Sequence, residues 1–487
     1  MLAEQGQRLA GQEQRLAEQA AQIAGLREEL ARLQRRLSRN SRNSSMPPSS
    51  DGTLPGSGAA PSGPPDRAPA ARKRGRQPGA DGSVLRWVPD AAVEDHRPQG
   101  PCRGCGTDLA GAAPAGVVRA WQVTDIPVVT ATVTEHRVHA VRCTCGRRAV
   151  AAAPPDAPDA ASCYGPNLAA LVAYLLVVHA LPVERAAALV GDVTGARPSP
   201  GWVHGLLTRT ADRLATHPSK PLEAIRAALR AAAVVHLDET TLRAGPAGGP
   251  LRYVWVAATD RYTLYHLGPR SLTGFAGLGL GAYLTGTVVH DGYTVYDSPD
   301  AFDQTRVTHQ LCVAHLLRHL TDAAQAHPTH TWPEQAATAL RALVHAHHTA
   351  RDTGQPAIPA AIAAAHITAY HTAVTAGLAA LPHRTGRGGQ LPARNLLETL
   401  HHYHDDILRF CHDTRIPPTN NQAERDLRPH KTQQKISGRL TSEPTTRDRL
   451  TIRSYLSTAT KHSRDTITTL RQVFLGNPWT PPAPARP

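Results

Sequence analysis

Between Ala233 and Gly268 three short apolar stretches, "AVVHLDETTLR", "RYVWVAATD" and "YTLYHLG", follow one another across turn residues. Runs of this length, rich in β-branched and aromatic residues, suit the pleated surface of a sheet, so the sequence predicts a three-stranded meander. A second apolar strand follows in "GTVVHDGYTVYD" (Gly286 to Asp297), and "THQLCVAHLLRHL" reads as a short strand turning into a helix. The centre of this chain is thereby committed to a mixed α/β sheet. Two of the predicted strands end in acid: Asp238 closes the first and Asp291 the later one. Acidic residues are common at element ends, where they cap or turn the chain, so neither aspartate is informative alone.

The regions on either side have other periods. Leu2, Leu9, Leu16, Ile23, Leu30 and Leu37 recur every seven residues, and Leu26 and Leu33 add a second seam position. This heptad pattern predicts a coiled coil over 1–38 and, through it, self-association; an amphipathic helix folding back on its own body is the alternative. Gln5, Gln12 and Gln19 on the seam, with Gly6, Gly11 and Gly25, weaken its early part. Residues 39–83, with "RNSRNSSMPPSSDG" and "RKRGRQPG", cannot bury enough apolar surface to fold and read as a flexible basic linker. Residues 163–230 look helical. Within them "LPVERAAALVGDVTGARPSPGWVHGLL" has a helix-turn-helix pattern, a generic arrangement that is one candidate for DNA binding. Residues 323–415 are Ala- and His-rich and read as a helical insertion, and 477–487 as a disordered tail.

Two cysteine pairs, Cys102-Arg-Gly-Cys105-Gly and Cys143-Thr-Cys145-Gly, flank the β-branched interval "AWQVTDIPVVTATVTEHRVHAVR". Paired thiols, each followed by a glycine that lets the backbone turn toward sulfur, predict a structural zinc site made by Cys102, Cys105, Cys143 and Cys145 in a β module over 84–150. Unligated thiols are the alternative. Seven cysteines, four of them clustered, argue against a secreted disulfide scaffold. No secretory signal is visible after Met1, and the longest apolar run, Leu168 to Leu181, is too short to cross a bilayer. A soluble intracellular protein without membrane contact is expected.

Charge then narrows the partner. The net charge of +14 favours a polyanion, with nucleic acid first, although an Arg-rich bias from a GC-rich genome would also produce it. In "PPTNNQAERDLRP" a helix begins after Pro417 and Pro418, with Asn or Thr available as N-cap, and carries Glu424 in its first turns. Strand, strand and helix allow Asp238, Asp291 and Glu424 to meet at one sheet edge. Mg²⁺ (or Mn²⁺) takes a few carboxylates together with substrate phosphate. Two such ions about 4 Å apart drive an in-line phosphodiester displacement. Glu239, next along the strand, should face away from Asp238. Asn420, Glu424 and Arg428 share one helical face, where Arg428 would contact the scissile phosphate or pair with Glu424. Pro429 should kink or end this helix. Cys312 and His315 have metal-like spacing, but two ligands without two more favour core support near the site. "HHYHDD" (His401 to Asp406), in a chain with 26 His, reads as a solvated helical face.

"HLDET", "HDGYTVY", "HQLCVAHLLRHL" and "NNQAERDLRPHK" resemble the DDE transposases of the IS66 family, as do the leading heptads, "NSRNSSMPPSSDG" and "CRGCG". The resemblance covers nearly the whole chain. It implies an RNase H-like catalytic core in two parts, 231–322 and 416–476, interrupted by the helical insertion. It also implies Asp238, Asp291 and Glu424 as a catalytic triad holding two magnesium ions. Arg425, Arg428, Lys431 and Lys435 are the expected DNA contacts on the Glu424 helix. The implied activity is binding of an element's terminal inverted repeats, 3′-end cleavage by water and joining to target DNA, in a prokaryotic cytoplasm at the nucleoid, with accessory element-encoded proteins as further partners. A catalytically silent DNA-binding descendant and an RNase H-type nuclease are the competing readings. The run "ISGRLTSEPTTRDRL" after Lys435 follows the family pattern only loosely.

Overall fold

A computed structural model describes residues 85–152, 162–383 and 390–483. The coiled coil expected over 1–38 and the linker expected over 39–83 lie outside the described residues. The described residues divide into two compact units, 85–131 in one and those from 132 to 483 in the other.

Within residues 85–131 the backbone is irregular. Gln122 fixes Val88 from both sides, accepting from its N–H at 2.9 Å and donating to its carbonyl at 2.7 Å. His96 stacks on Trp121. The β-branched interval expected as strands becomes one only at its end, β1 (Ala140–Arg142), which pairs antiparallel with β2 (Arg148–Val150) in the other unit. The cause is visible in exposure: Val123, Ile126, Val128 and Val133 all stay in solvent. β-branching favours a strand only where a neighbouring strand or a core covers it.

The large unit is built on five strands, β3 (Val234–Leu242), β4 (Arg252–Ala258), β5 (Thr263–Gly268), β6 (Thr287–His290) and β7 (Thr308–Leu311). Their order is β5-β4-β3-β6-β7. The first three form the antiparallel meander predicted from sequence, while β6 lies parallel to β3 and β7 parallel to β6. Both faces are covered, and the alternation of side chains sorts them. Val235, Leu237, Trp255 and Ala257 enter a core with four helices that precede the sheet, α1 (Pro166–Val177), α2 (Val183–Thr194), α3 (Pro200–Thr216) and α4 (Pro221–Arg230). Val254, Val256 and Ala258 enter a smaller core on the opposite face. The Gly/Pro/Ser turn between α2 and α3 works as its residues dictate: Gly195, at φ +74°, closes α2, and the Ser199 hydroxyl caps α3 by accepting from Trp202 N–H at 3.2 Å.

A short helix, α5 (Leu272–Ala276), follows β5. After β7 the helices α6 (Val313–Ala326), α7 (Trp332–Asp352), α8 (Ala360–Ala380), α9 (Pro392–His402) and α10 (His404–Leu408) build a separate hydrophobic core around Trp332, Leu340, Tyr370 and Phe410. The chain then returns to the sheet through α11 (Asn421–Ser437), α12 (Glu443–Lys461) and α13 (Thr466–Phe474). Ala423 and Leu427 of α11 pack on the face that carries Val254 and Val256. Pro429 does not end α11, which runs on to a Gly438 terminus at φ +66°. A proline there removes one N–H, and the packed faces on either side carry the helix across it. The tail expected to be disordered from 477 packs instead as far as it is described: Trp479 sits against Tyr455 and His462, and Tyr262 Oη donates to the Pro482 carbonyl at 2.7 Å.

Asn420 fixes how α11 meets the sheet. It stands at the N-cap position, but its side chain does not cap. Its Nδ2 donates to Leu237 O at 2.7 Å and its Oδ1 accepts from His236 Nδ1 at 3.0 Å, while its own N–H donates to Cys312 Sγ at 3.1 Å. All of this is buried. Asn420→Ala leaves a carbonyl and an imidazole unpaired in the interior, so unfolding by urea should show a loss of about 2–4 kcal/mol. A loss no larger than that of an exposed substitution would refute the clamp.

Candidate active site

Asp238 lies mid-way along β3, paired with Val256, on the sheet face that α11 covers. Burial raises its pKa well above the ordinary carboxylate range, and the charges of Asp291, Glu239 and Glu424 raise it further. One oxygen accepts from the Glu239 N–H at 2.8 Å. Asp291 is the first residue after β6; its Oδ1 accepts from Tyr293 N–H at 3.0 Å, across Gly292 at φ +89°. That positive φ turns the chain within one residue of the acid, a conformation glycine adopts without strain. Glu424 sits in the first turn of α11. Its Oε1 lies 3.6 Å from Arg318 Nη2 and 3.9 Å from His315 Nδ1, and it is buried without a hydrogen bond. The charges of Asp291 and Glu424 are thus felt at Asp238, although among the described residues the three carboxylates do not fall within 4.8 Å of one another as a set.

Glu239 occupies the other face, opposite Trp255. Only 2% of its side chain is exposed, yet it is not free of partners: Arg270 Nε and Nη2 reach it at 3.0 and 2.9 Å, and Tyr296 Oη donates at 3.0 Å. Burial, with the charge of Asp291, raises its pKa despite Arg270. Arg270 also stacks over Tyr293, 4.1 Å from the ring centre. Neither Arg270 nor Tyr296 was singled out by sequence, because no local pattern links them to residue 239. Replacing Glu239 would strand a cation and a phenol, so it cannot serve as a neutral neighbour of Asp238.

The histidines around the acids are held neutral. Burial lowers His236 to about 4, His290 to about 3 and His315 to about 4. His290 accepts from Gly292 N–H at 3.1 Å and meets His309 Nδ1 at 3.0 Å, which orients the β6 end that carries Asp291. Burial pushes the Cys312 thiol up to about 11. Cys312 and His315, read from sequence as core support, acquire a third companion: Cys312, His315 and Glu424 present ligand atoms within 4.8 Å of one another. The signal was only half legible, since Glu424 is 109 residues beyond His315 in the chain. In "HHYHDD" His404 and Asp405 pair at 3.3 Å on an exposed helical face.

The basic residues expected on α11 grade outward. Lys431 is half-buried; desolvation lowers its pKa, and the charges of Asp238 and Glu424 partly restore it. Arg425, Arg428 and Lys435 are exposed, Arg425 donating to Gln422 at 2.7 Å. Glu424 takes Arg318, not Arg428, as its ion-pair partner.

Each cysteine pair closes a tight loop of its own. Around Cys102 and Cys105, Cys102 N–H donates to Thr107 O at 2.7 Å and Gly106 stands at φ +78°. Hydrogen bonds from Thr107 and Cys102 lower the Cys105 thiol. Around Cys143 and Cys145, Gly146 N–H donates to Cys143 O at 2.9 Å, Gly146 stands at φ +85°, and Cys145 lowers the Cys143 thiol. Cys105 and Cys143 thus each sit on a glycine-closed turn that shifts the thiol toward the thiolate.

A half-buried acid with a raised pKa makes the fold sensitive to pH in a fixed direction. The folded chain holds the Asp238 proton more tightly than the unfolded one, so stability falls as pH rises from the ordinary carboxylate value through the raised one. A divalent cation binds the ionised form. Mg²⁺ should therefore raise the melting temperature more at alkaline than at acid pH, with proton release on binding. Asp238→Asn should flatten that dependence, and a Mg²⁺ effect independent of pH would refute the assignment.

The family described as Transposase IS66 family matches residues 161–447, more than half of the chain and every residue placed around the carboxylates. A family of unknown function, DUF6444, matches residues 5–86. No curated protein matches the chain. No described helix is long and apolar enough to cross a membrane.

Proposed function

The chain belongs to the IS66 family of transposases, and we propose that it cuts and joins DNA strands at the carboxylates Asp238, Asp291 and Glu424. One observation carries this reading: acids from two strands and a helix lie near enough to raise the pKa of the half-buried Asp238, and Glu424 Oε1 has no hydrogen bond. Negative charge concentrated in this way is relieved by divalent cations, and the oxygen-only set fits Mg²⁺ or Mn²⁺. Two bound ions would supply an activated nucleophile and a stabilised leaving oxygen. The sheet order supports an RNase H-like core, since a three-stranded antiparallel meander continues into two parallel strands.

The chain's own residues do the rest. Asp238 and Asp291 are held by the sheet, and Glu424 by a helix whose start Asn420 ties to β3. Arg425, Arg428, Lys431 and Lys435 lie on the same helix as Glu424, so phosphates gripped there run past the carboxylates. Phosphate contacts of this kind set register and affinity without reading sequence. α2 and α3, joined by the capped turn, are a candidate for end recognition. The cysteine pairs fit structural zinc, and the heptads of 1–38 would pair two chains, as two DNA ends require.

Asp238→Asn, Asp291→Asn and Glu424→Gln should each lower Mg²⁺-dependent cleavage of an end-bearing duplex at least about a hundredfold, since even outer partners of a metal ligand command that scale. Binding of the duplex should survive. Arg428→Ala with Lys435→Ala should instead weaken binding and reduce its salt dependence. Three carboxylate variants that cut like wild type would end this reading.

A further inference from the structure

Two side chains beside the carboxylates have no part in the reaction above. Cys312 stands at the N-cap of α6, and His315 follows in the first turn of that helix. Their ligand atoms and one oxygen of Glu424 fall within 4.8 Å of one another. His315 Nδ1 and Glu424 Oε1 are each buried without a hydrogen bond, and they face each other at 3.9 Å. Two polar atoms without hydrogen bonds, with a sulfur beside them, are groups that a cation would satisfy. Sulfur, nitrogen and oxygen together do not suit Mg²⁺, which prefers oxygen, but they match the ligand types of zinc sites.

We propose that Cys312, His315 and Glu424 form a second divalent-metal site, selective for a thiophilic ion such as Zn²⁺, which holds Glu424 away from Asp238 and Asp291 and so restrains catalysis. The restraint rests on the catalytic reading of Glu424; the site itself does not. Tetrahedral zinc with bonds of about 2.0–2.3 Å sets its ligand atoms roughly 3.5 Å apart, so closure needs side-chain movement on the order of 1 Å. The Asn420 N–H donates to Cys312 Sγ and offsets part of the burial that pushes this thiol up, and the thiol proton leaves to solvent on binding. Arg318 is the cation that the metal replaces beside Glu424, and its partly exposed side chain can turn outward. Water completes the fourth position.

The test uses the full chain with its other cysteine pairs loaded with zinc, and Co²⁺ as an optical probe of thiolate ligation. Wild type should bind one further Co²⁺ with a sulfur-to-cobalt charge-transfer band that Cys312→Ser lacks. His315→Gln, which leaves the Asn420 contact to sulfur in place, should weaken that binding about tenfold or more. An identical cobalt spectrum in all three proteins overturns the site. In the cleavage assay, Zn²⁺ should inhibit wild type in competition with Mg²⁺ and inhibit Cys312→Ser far less. A wild type that binds cobalt at Cys312 yet is inhibited no more than Cys312→Ser overturns the restraint. A Glu424→Gln enzyme that cuts normally would remove the catalytic reading and the restraint with it, and the cobalt band alone would then decide whether the site exists.

Discussion

The buried amide of Asn420 joins three parts of the chain that are far apart in sequence. Its side chain ties α11 to His236 and Leu237 on β3, which lie 184 and 183 residues away, and its N–H reaches Cys312, 108 residues away. Pro418 adds a neighbouring tie by accepting from Val313 N–H at 2.9 Å. Because these bonds are enclosed, losing one leaves an unpaired polar group in the interior. The position of Glu424, one turn further along α11, is set by this knot and by α6, whose Arg318 and His315 face it. The helices that follow α6 extend its core away from the sheet around Trp332, Leu340 and Tyr370.

Around the knot the protein accepts an electrostatic penalty. Asp238 is half-buried near other carboxylates, and its nearby histidines are neutral, so none of them supplies the missing positive charge. Lys431 contributes only from a half-buried position. A folded site with uncompensated acid is less stable than an apolar one of the same shape. Acids perturbed in this way cluster at functional sites.

The meander was legible because β3, β4 and β5 are continuous apolar runs with turn residues between them, and each finds its neighbour next in sequence. Asp291 could be picked out because it follows the apolar run of β6, and Glu424 because it follows a proline-led helix start, whereas Asp238, read as the end of its strand, lies mid-way along β3, which runs on to Leu242. The interval before Arg142 misled for the opposite reason: its β-branched residues have the composition of strands but no surface to cover them. Asn420 looked like a helix cap, and only the fold shows its side chain spent on β3. Arg270 and Tyr296 had no signal at all, because their bond to Glu239 spans 31 and 57 residues with no periodicity to reveal it.

That buried pair of Glu239 and Arg270 has a bearing on how the sheet assembles. Asp238 and Glu239 are adjacent acids, and a strand paired one residue out of step exchanges the two faces completely. A slipped β3 would offer a glutamate, longer by one methylene, where the aspartate belongs. The same slip would put Asp238 beside Trp255 and leave the Arg270 guanidinium facing an acid too short to reach it. The ion pair therefore reinforces the choice that Val235 and Leu237 already make for one core: it further penalises the frame in which Glu239 takes the place of Asp238.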